Sequence, residues 1–229
     1  MNIVLNIPHA NPVFPSQSEK EKWADIDLLN ASIRKMTDWF TDDLFMPSEE
    51  LRPQITPVVF PYSRFFMDVE RLINDPMSSI GQGILYTHCN GNNRDICVED
   101  YMPIYHEHIG QFKDLLNVDS LIIDCHSYPS DFSDTDVDIC IGYNRDKSYN
   151  KTIVSLVQNH FTNYGYKVSR NTPYSNSLTP VHPIFYSSIM IEVNKRIYMN
   201  EDSITPNSNY TTLKMQINEL YQKILNIKW

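Results

Sequence analysis

The chain has 229 residues, of which 41% are hydrophobic and 21% charged, as in an ordinary soluble globular protein. Its formal net charge of -9 disfavours nucleic acid and anionic membranes as partners, because both are bound through clustered lysine and arginine. No stretch approaches the roughly 20 apolar residues of a membrane-spanning helix and no signal peptide is expected, so we predict a cytoplasmic protein that acts on small molecules or peptides.

In the first half of the chain, apolar residues recur at strand spacing and helix spacing in turn. The predicted elements are a buried strand at 2–7, an amphipathic helix at 26–46, a strand at 55–71 with charged residues at its far end, a short strand and turn at 81–91, and a helix at 101–116. Pro47 ends the first helix. Asp100 is expected to cap the helix at 101–116. Pro103 would lie in the first turn of this helix, where its missing N–H costs no hydrogen bond.

The second half continues the alternation of strands and helices. The predicted elements are a strand at 118–127, a strand at 137–143, a helix at 149–163, strands at 165–171 and 187–194, and a helix at 209–227. The first of these is a continuous apolar run, which is typical of a central parallel strand covered on both faces. The order predicts a single domain, residues 1–229, with an α/β three-layer sandwich fold and a mixed, largely parallel central sheet.

Reactive side chains stand at the ends of three predicted central strands. His9 follows the first strand, Asp124 and His126 end the apolar run "LII", and Glu192 lies within the last strand. Ligands of open α/β sheets bind beyond the carboxyl ends of strands, so we expect these side chains to converge. Glu192 needs a partner or a function, because an unpaired buried carboxylate is costly.

This set predicts a metal-dependent hydrolase. Zinc hydrolases use three ligands from His, Asp and Glu and leave one position for a water, whose pKa the metal lowers to about 7. His9 and His126 supply two imidazoles, and the helix at 26–46 supplies a carboxylate, either Asp38 or Asp42 one turn later. Glu192 accepts the proton of the water and passes it to the leaving amine.

Four cysteines, Cys89, Cys97, Cys125 and Cys140, form no CxxC pair, and we expect them to be reduced. Cys125 next to His126 raises the alternative of a cysteine hydrolase. Adjacent residues of a strand point to opposite faces, however, so this thiol and this imidazole are not expected to meet.

Nine short motifs together resemble the N-formylglutamate amidohydrolase family. In chain order they are IPHANPVFP, TDWFTDDLF, SRFFMDVER, GILYTH, YMPIYHEHI, DCHSYPS, VDICIG, NTPYS and IEVNKRIYM. They occur in the order of the family and cover nearly the whole chain. The resemblance implies a zinc-carboxypeptidase-like (phosphorylase/hydrolase-like) fold and a metal-dependent hydrolase that cleaves N-formyl-L-glutamate into formate and glutamate.

The resemblance also implies the role of each matching residue. His9, Asp38 and His126 become the ligands of one divalent metal ion, expected to be zinc, and Glu192 becomes the general base. Asp124 is expected beside the ligands, where it can orient an imidazole. The preference for Asp38 over Asp42 rests mainly on the resemblance.

The substrate that the family implies carries two carboxylates, which calls for arginines that bind a carboxylate through two parallel hydrogen bonds. Arg64, Arg71 and Arg94 are the candidates, and Arg71 is also expected to polarise the scissile carbonyl. His106 and Tyr174 are expected to line the same cleft.

The chain departs from the family pattern near these residues. Ala10 and Asn11 replace the small pair that usually follows the first histidine, Glu70 replaces an asparagine that commonly precedes Arg71, and the segment 175–177 replaces paired glycines. The departures concern the substrate more than the metal. Two alternatives therefore stay open, a zinc hydrolase of another N-acyl amino acid or peptide C-terminus, and a non-enzymatic binding protein on the same scaffold.

Overall fold

The computed structural model describes residues 1–132 and 136–227, in which ten strands and six α-helices are defined. The strands are β1 (Asn2–Ile7), β2 (Ile55–Val59), β3 (His88–Cys89), β4 (Asn92–Asn93), β5 (Ser120–Tyr128), β6 (Ile139–Gly142), β7 (Val168–Arg170), β8 (Ser187–Asn194), β9 (Met199–Asn200) and β10 (Thr205–Pro206). The helices are α1 (Gln17–Lys20), α2 (Ile26–Met36), α3 (Thr41–Leu44), α4 (Met102–Leu115), α5 (Lys151–Asn163) and α6 (Tyr210–Leu225). Short 3-10 helices cover Pro76–Ile80, Val98–Tyr101 and Lys195–Ile197.

Six strands form the central sheet in the order β2, β1, β5, β8, β6 and β7. The first four run parallel, β6 runs antiparallel to β8, and β7 is parallel to β6. This mixed, largely parallel sheet confirms the predicted α/β class. Every residue of β5 is buried, as expected for the central strand.

Helices cover both faces of the sheet and make it the middle one of three layers. Leu5 and Ile123 belong to the large core that the sheet forms with α3, α5 and α6. Val4 and Ile122 point the other way and pack with Phe112 of α4. This division follows from the alternation of side chains along a strand, which sends neighbouring residues to opposite faces. No helix among the described residues combines the length and hydropathy needed to cross a bilayer.

The predicted helix at 26–46 is broken in two, which corrects its predicted bounds. α2 ends at Met36 and α3 begins at Thr41, and between them Phe40 adopts a left-handed backbone with φ 66°. In the break, the backbone N–H of Asp38 donates to the carbonyl of His9 at 3.0 Å. Asp38 is therefore attached to the end of β1 and is not a residue of a continuous helix.

Two other predicted boundaries are wrong. β2 ends at Val59, and the residues at 62–71 form turns; the last ladder-like contact with β1 is the N–H of Phe60, which donates to the carbonyl of Ile7. Asp100 does not cap α4, since it lies in a 3-10 helix and the cap position is Tyr101. Pro103 does lie in the first turn of α4, as predicted.

Candidate metal centre

His9, His126 and Glu192 converge at the carboxyl edge of the sheet. His9 lies two residues beyond β1, and the other two lie near the ends of the parallel strands β5 and β8. His126 and Glu192 are partners in the register of these strands, so their side chains share a face. The two imidazole centroids are 5.0 Å apart, and both rings are buried.

Asp38 lies between the two imidazoles. Its Oδ2 is 3.2 Å from Nδ1 of His126 and 3.7 Å from Nδ1 of His9. Burial would raise the pKa of Asp38, but the hydrogen bond of His126 and the charges of both histidines outweigh burial and hold it well below its usual range. Asp42 lies in α3, where its Oδ1 accepts the N–H of Asp43. The structure thus brings Asp38 to the histidines, whereas the carboxylate of Asp42 accepts a backbone hydrogen bond within α3.

The Nε2 atoms of the two rings face different carboxylates. Nε2 of His9 is hydrogen-bonded to Oδ1 of Asp68 at 2.8 Å, and Nε2 of His126 lies 3.0 Å from Oδ1 of Asp124, outside hydrogen-bond geometry. A carboxylate accepts hydrogen bonds, so Nε2 of His9 carries a proton, and in the neutral ring Nδ1 keeps the lone pair. This Nδ1 is buried and has no hydrogen-bond partner among the described residues. A metal ion fits such an atom.

Asp68 is a site residue that the sequence analysis missed. Its Oδ2 accepts hydrogen bonds from Arg64 at 3.0 Å and from Tyr86 at 2.9 Å, while its Oδ1 holds His9. Burial would raise the pKa of Asp68, but the charges of His9 and Arg64 outweigh it and lower the pKa well below the ordinary range. A carboxylate in the apolar run "FFMDV" was the available signal, of the same kind that singled out Glu192.

Asp124 is held from two sides. Its Oδ1 accepts a hydrogen bond from the side-chain amide of Asn6 at 2.6 Å, and its Oδ2 accepts one from the backbone N–H of Leu178 at 3.0 Å. Burial would lower the pKa of His126, yet the charges of Asp124 and Glu70 outweigh it and raise the pKa well above its ordinary value. Asp124 therefore lies beside a ligand candidate, as expected.

Glu70 offers a second carboxylate to the same pair of rings. Its Oε1 is 3.7 Å from Nε2 of His126, and its Oε2 is 3.9 Å from Nε2 of His9. His9, Glu70 and His126 have ligand atoms within 4.8 Å of one another and can together hold a metal ion. The two rings thus have Asp38 at their Nδ1 edge and Glu70 at their Nε2 edge.

Glu192 is buried beside this cluster, and its Oε2 has no hydrogen-bond partner among the described residues. Burial raises the pKa of Glu192 to about 8; the positive charge of His126 opposes the shift, and the negative charges of Asp38 and Glu70 add to it. A carboxylate that binds and releases a proton near neutral pH is suited to general acid and base chemistry.

Arg64 and Arg71 lie at the rim of the cluster. Nη2 of Arg64 donates to Oδ2 of Asp68, and Nε of Arg71 is 3.6 Å from the same oxygen. Nη1 of Arg71 is 3.8 Å from Oδ2 of Asp75, and the backbone carbonyl of Arg71 accepts a hydrogen bond from the hydroxyl of Tyr105 at 2.9 Å. Both predicted arginines are therefore near the histidines and are partly engaged by acids of the chain.

Two predicted substrate-binding residues lie apart from the cluster. The buried guanidinium of Arg94 donates to the carbonyls of Phe65 and Phe66, at 3.2 Å and 2.8 Å. His106 is exposed on α4 and its ring contacts Tyr105. The structure gives Arg94 a structural environment, and the roles of both residues in substrate binding stay predictions.

Tyr174 packs among aromatic rings next to the site. Its ring stacks on Phe132 with centroids 5.8 Å apart and meets the ring of Tyr128 edge-on at 5.4 Å. Burial raises the pKa of Tyr174, and the negative charges of Glu192 and Asp38 add to the shift. Its predicted place in the cleft is compatible with these neighbours.

Cys125 faces away from the metal centre. Its side chain is part of the apolar core shared with α6, and its thiol donates to the carbonyl of Ile123 at 3.2 Å. Burial raises the pKa of this thiol well above its ordinary value, so it is a poor nucleophile. The geometry matches the expectation that Cys125 and His126 point to opposite faces.

Comparisons with known proteins concern the whole fold. A family model described as N-formylglutamate amidohydrolase matches residues 1–199, whereas a comparison with curated proteins found no match. The crystal structure of N-formylglutamate amidohydrolase from Ralstonia eutropha JMP134 superposes with a TM-score of 0.69 and 19% identity, over 98% of this chain and 92% of that chain. A gene product of Agrobacterium tumefaciens superposes with a TM-score of 0.68 and 16% identity, over 98% of this chain and 90% of that one. At 19% and 16% identity, the similarity to these two structures shows that the fold is shared.

Proposed function

The chain belongs to the N-formylglutamate amidohydrolase family, and from this premise we propose that it is a metal-dependent amidohydrolase of N-acyl amino acids. The activity is assigned to one catalytic domain formed by residues 1–229. The observation that carries the proposal is the meeting of two buried imidazoles, an acid between them, and the buried, protonatable Glu192 at one edge of the sheet. N-formyl-L-glutamate is the first substrate to test.

His9, Asp38 and His126 are the proposed ligands, and zinc is the proposed ion. Two imidazoles and a carboxylate are a donor set that zinc prefers in catalytic sites. The buried Nδ1 of His9 without a hydrogen-bond partner supports binding at the Nδ1 edge, where Asp38 lies. Glu70 is the alternative third ligand, since Nε2 of His126 also has no hydrogen-bond partner among the described residues, but on that side Asp68 already binds Nε2 of His9.

A bound divalent ion supplies Lewis acidity, which lowers the pKa of water and polarises an amide carbonyl. The chain supplies the proton transfer, since Glu192 lies next to His126 and is outside the proposed ligand set. It takes a proton from the attacking water as the new C–O bond forms, and it gives this proton to the amine nitrogen as the C–N bond breaks. The products are the free carboxylic acid and the amino acid.

Arg71 and Arg64 are proposed to bind the oxygen atoms of the substrate. Each has a buried Nε without a hydrogen-bond partner among the described residues. A guanidinium can donate to the scissile carbonyl, where negative charge develops, or to the α-carboxylate that every N-acyl amino acid carries. Arg71, which is more exposed than Arg64, is the first choice for contact with the reacting carbonyl.

Metal analysis and formate release test this proposal. The purified protein is stripped with a chelator, reloaded with zinc, and assayed on N-formyl-L-glutamate and other N-formyl amino acids. We expect about one metal ion per chain, activity only after reloading, and loss of turnover in Glu192→Gln with the metal retained. Full turnover in the stripped protein or in Glu192→Gln would contradict the mechanism. Cys125→Ser is the control variant and should remain active.

A further inference from the structure

Glu70 is the most accessible acid of the metal centre. Its side chain is 21% exposed, whereas that of Asp38 is 3% exposed and those of Asp68 and Asp124 are fully buried. The charge partners of Glu70 within 4.0 Å are the two imidazoles, and among the described residues no lysine or arginine approaches it as closely. Its carboxylate is thus open to a group that enters from solvent.

The charges of Arg64 and Arg71 also act on Glu70, but each of these guanidinium groups lies within 4 Å of another acid of the chain and not of Glu70. Arg64 is hydrogen-bonded to the fully buried Asp68. Arg71 lies 3.6 Å from Asp68 and 3.8 Å from Asp75. Two guanidinium groups therefore face two carboxylates, and Glu70 is left as an additional negative charge at the accessible rim.

The inner part of the centre does not compensate Glu70 either. A divalent ion at the two histidines would face Asp38 at one edge and Asp124 beside His126, whose two negative charges match its own. The buried Lys195 donates to the carbonyl of Lys35, and its charge acts on Asp38 and Glu192. The rim next to Glu70 therefore attracts cations and repels a second carboxylate of a substrate.

We propose that Glu70 selects the substrate, favouring an N-acyl amino acid with a cationic side chain over one with an acidic side chain. This inference rests on the proposed amide hydrolysis and names its substrate class. An ammonium or guanidinium group on the substrate can form a charge-assisted hydrogen bond with Glu70. Arg64 and Arg71 stay 14% and 23% exposed, so their guanidinium groups can also donate to the α-carboxylate, which all members of the class share.

Three N-formyl amino acids of similar size test the selection by charge. N-formyl-L-ornithine, N-formyl-L-glutamine and N-formyl-L-glutamate carry a positive, a neutral and a negative side chain. We expect kcat/KM of the zinc-loaded protein to fall in that order, with roughly a tenfold or larger difference between the first and the last. Glu70→Gln keeps the shape of the side chain and should reduce this ratio about tenfold, mainly through KM.

Controls separate the loss of charge from a loss of fold. Glu49→Gln removes an exposed glutamate outside the cluster and should leave the ratio unchanged. The unfolding temperature and the zinc content of Glu70→Gln are measured in parallel. If the Glu70→Gln variant does not fold, the Glu70→Asn variant is used in its place. A preference for N-formyl-L-glutamate that Glu70→Gln leaves unaltered would overturn the inference and leave the proposed function standing.

Calorimetry keeps the two proposals distinguishable. If none of the three amides is hydrolysed, the proposed function fails, and binding of the same amides to zinc-loaded Glu192→Gln still measures selection by charge. Tighter binding of the ornithine derivative, lost in the double variant Glu70→Gln/Glu192→Gln, supports the role of Glu70. Equal binding of all three amides, or tightest binding of the glutamate derivative, overturns it.

Discussion

Replacing Asp68 by asparagine removes a buried negative charge that three partners share. Asp68 accepts hydrogen bonds from His9 at 2.8 Å, Arg64 at 3.0 Å and Tyr86 at 2.9 Å, and its side chain has no solvent exposure. Asparagine keeps one oxygen acceptor but presents N–H groups where donors already point. Arg64 then lacks its acid, and the tautomer of His9 is no longer determined by a carboxylate.

The magnitude follows from these contacts. Removing one partner of a buried ion pair costs about 3–5 kcal/mol, and the partial exposure of Arg64 reduces this, so we expect Asp68→Asn to lower the free energy of unfolding by about 2–4 kcal/mol. For a chain of this size the unfolding temperature falls by roughly 5–15 °C. Loss of a partner that orients a ligand imidazole should weaken zinc binding by about 10–100-fold.

The difference in unfolding free energy between wild type and Asp68→Asn should depend on pH, which gives a second check. The pKa of Asp68 is lowered well below its ordinary 3.8, because the charges of His9 and Arg64 outweigh the effect of burial. An acid with a lowered pKa contributes stability that is fully present above its unfolded-state pKa and is lost as the pH falls through the folded-state pKa. The difference in unfolding free energy between wild type and variant should therefore be constant above about pH 5 and shrink in more acidic solution.

Denaturant unfolding of the metal-free protein and competition of a zinc chelator with the loaded protein measure the two effects. Asp114→Asn, which changes an exposed acid of α4, is the matched control and should alter stability by less than about 0.5 kcal/mol. If Asp68→Asn matches this control in both stability and zinc affinity, Asp68 does not hold His9 in place and the reasoning is refuted.

Three further substitutions probe the rest of the centre. Glu192→Gln should make the metal-free protein more stable than wild type at pH 8 but not at pH 5. The pKa of Glu192 is raised from 4.5 to about 8, so folding of the wild type becomes less favourable as the pH rises between these values. Equal dependence of the unfolding free energy on pH in wild type and variant, measured in denaturant, would contradict this. Cys125→Ser should cost about 1 kcal/mol in unfolding free energy and leave turnover intact, because its hydroxyl can donate to the carbonyl of Ile123 as the thiol does; an inactive but folded variant would revive the cysteine mechanism. Asn6→Ala removes the 2.6 Å hydrogen bond to Asp124 and should lower the free energy of unfolding by about 1–3 kcal/mol and the zinc affinity by roughly tenfold. Unchanged zinc affinity in a chelator titration would show that Asp124 keeps its position without the amide of Asn6.

Local sequence patterns predicted the architecture because each pattern reports on its own environment. The continuous apolar run at 118–127 indicated a central strand, and β5 is buried at every position. The alternation of side chains predicted that His126 faces one side and Cys125 the other. The charged end of the segment at 55–71 was assigned to a strand, and the turns that place Asp68 and Glu70 around the histidines were missed.

The sequence predicted the order of the main strands and helices, the family, and the three strand ends that carry His9, His126 and Glu192, because these depend on spacing along the chain. The identity of the carboxylates around the imidazoles depends on the tertiary fold. The break of the predicted helix at Phe40 attaches Asp38 to the end of β1, and the turns after β2 bring Glu70 within 4 Å of both rings. Such distances depend on where the backbone departs from regular structure, and helix or strand periodicity carries no information about that.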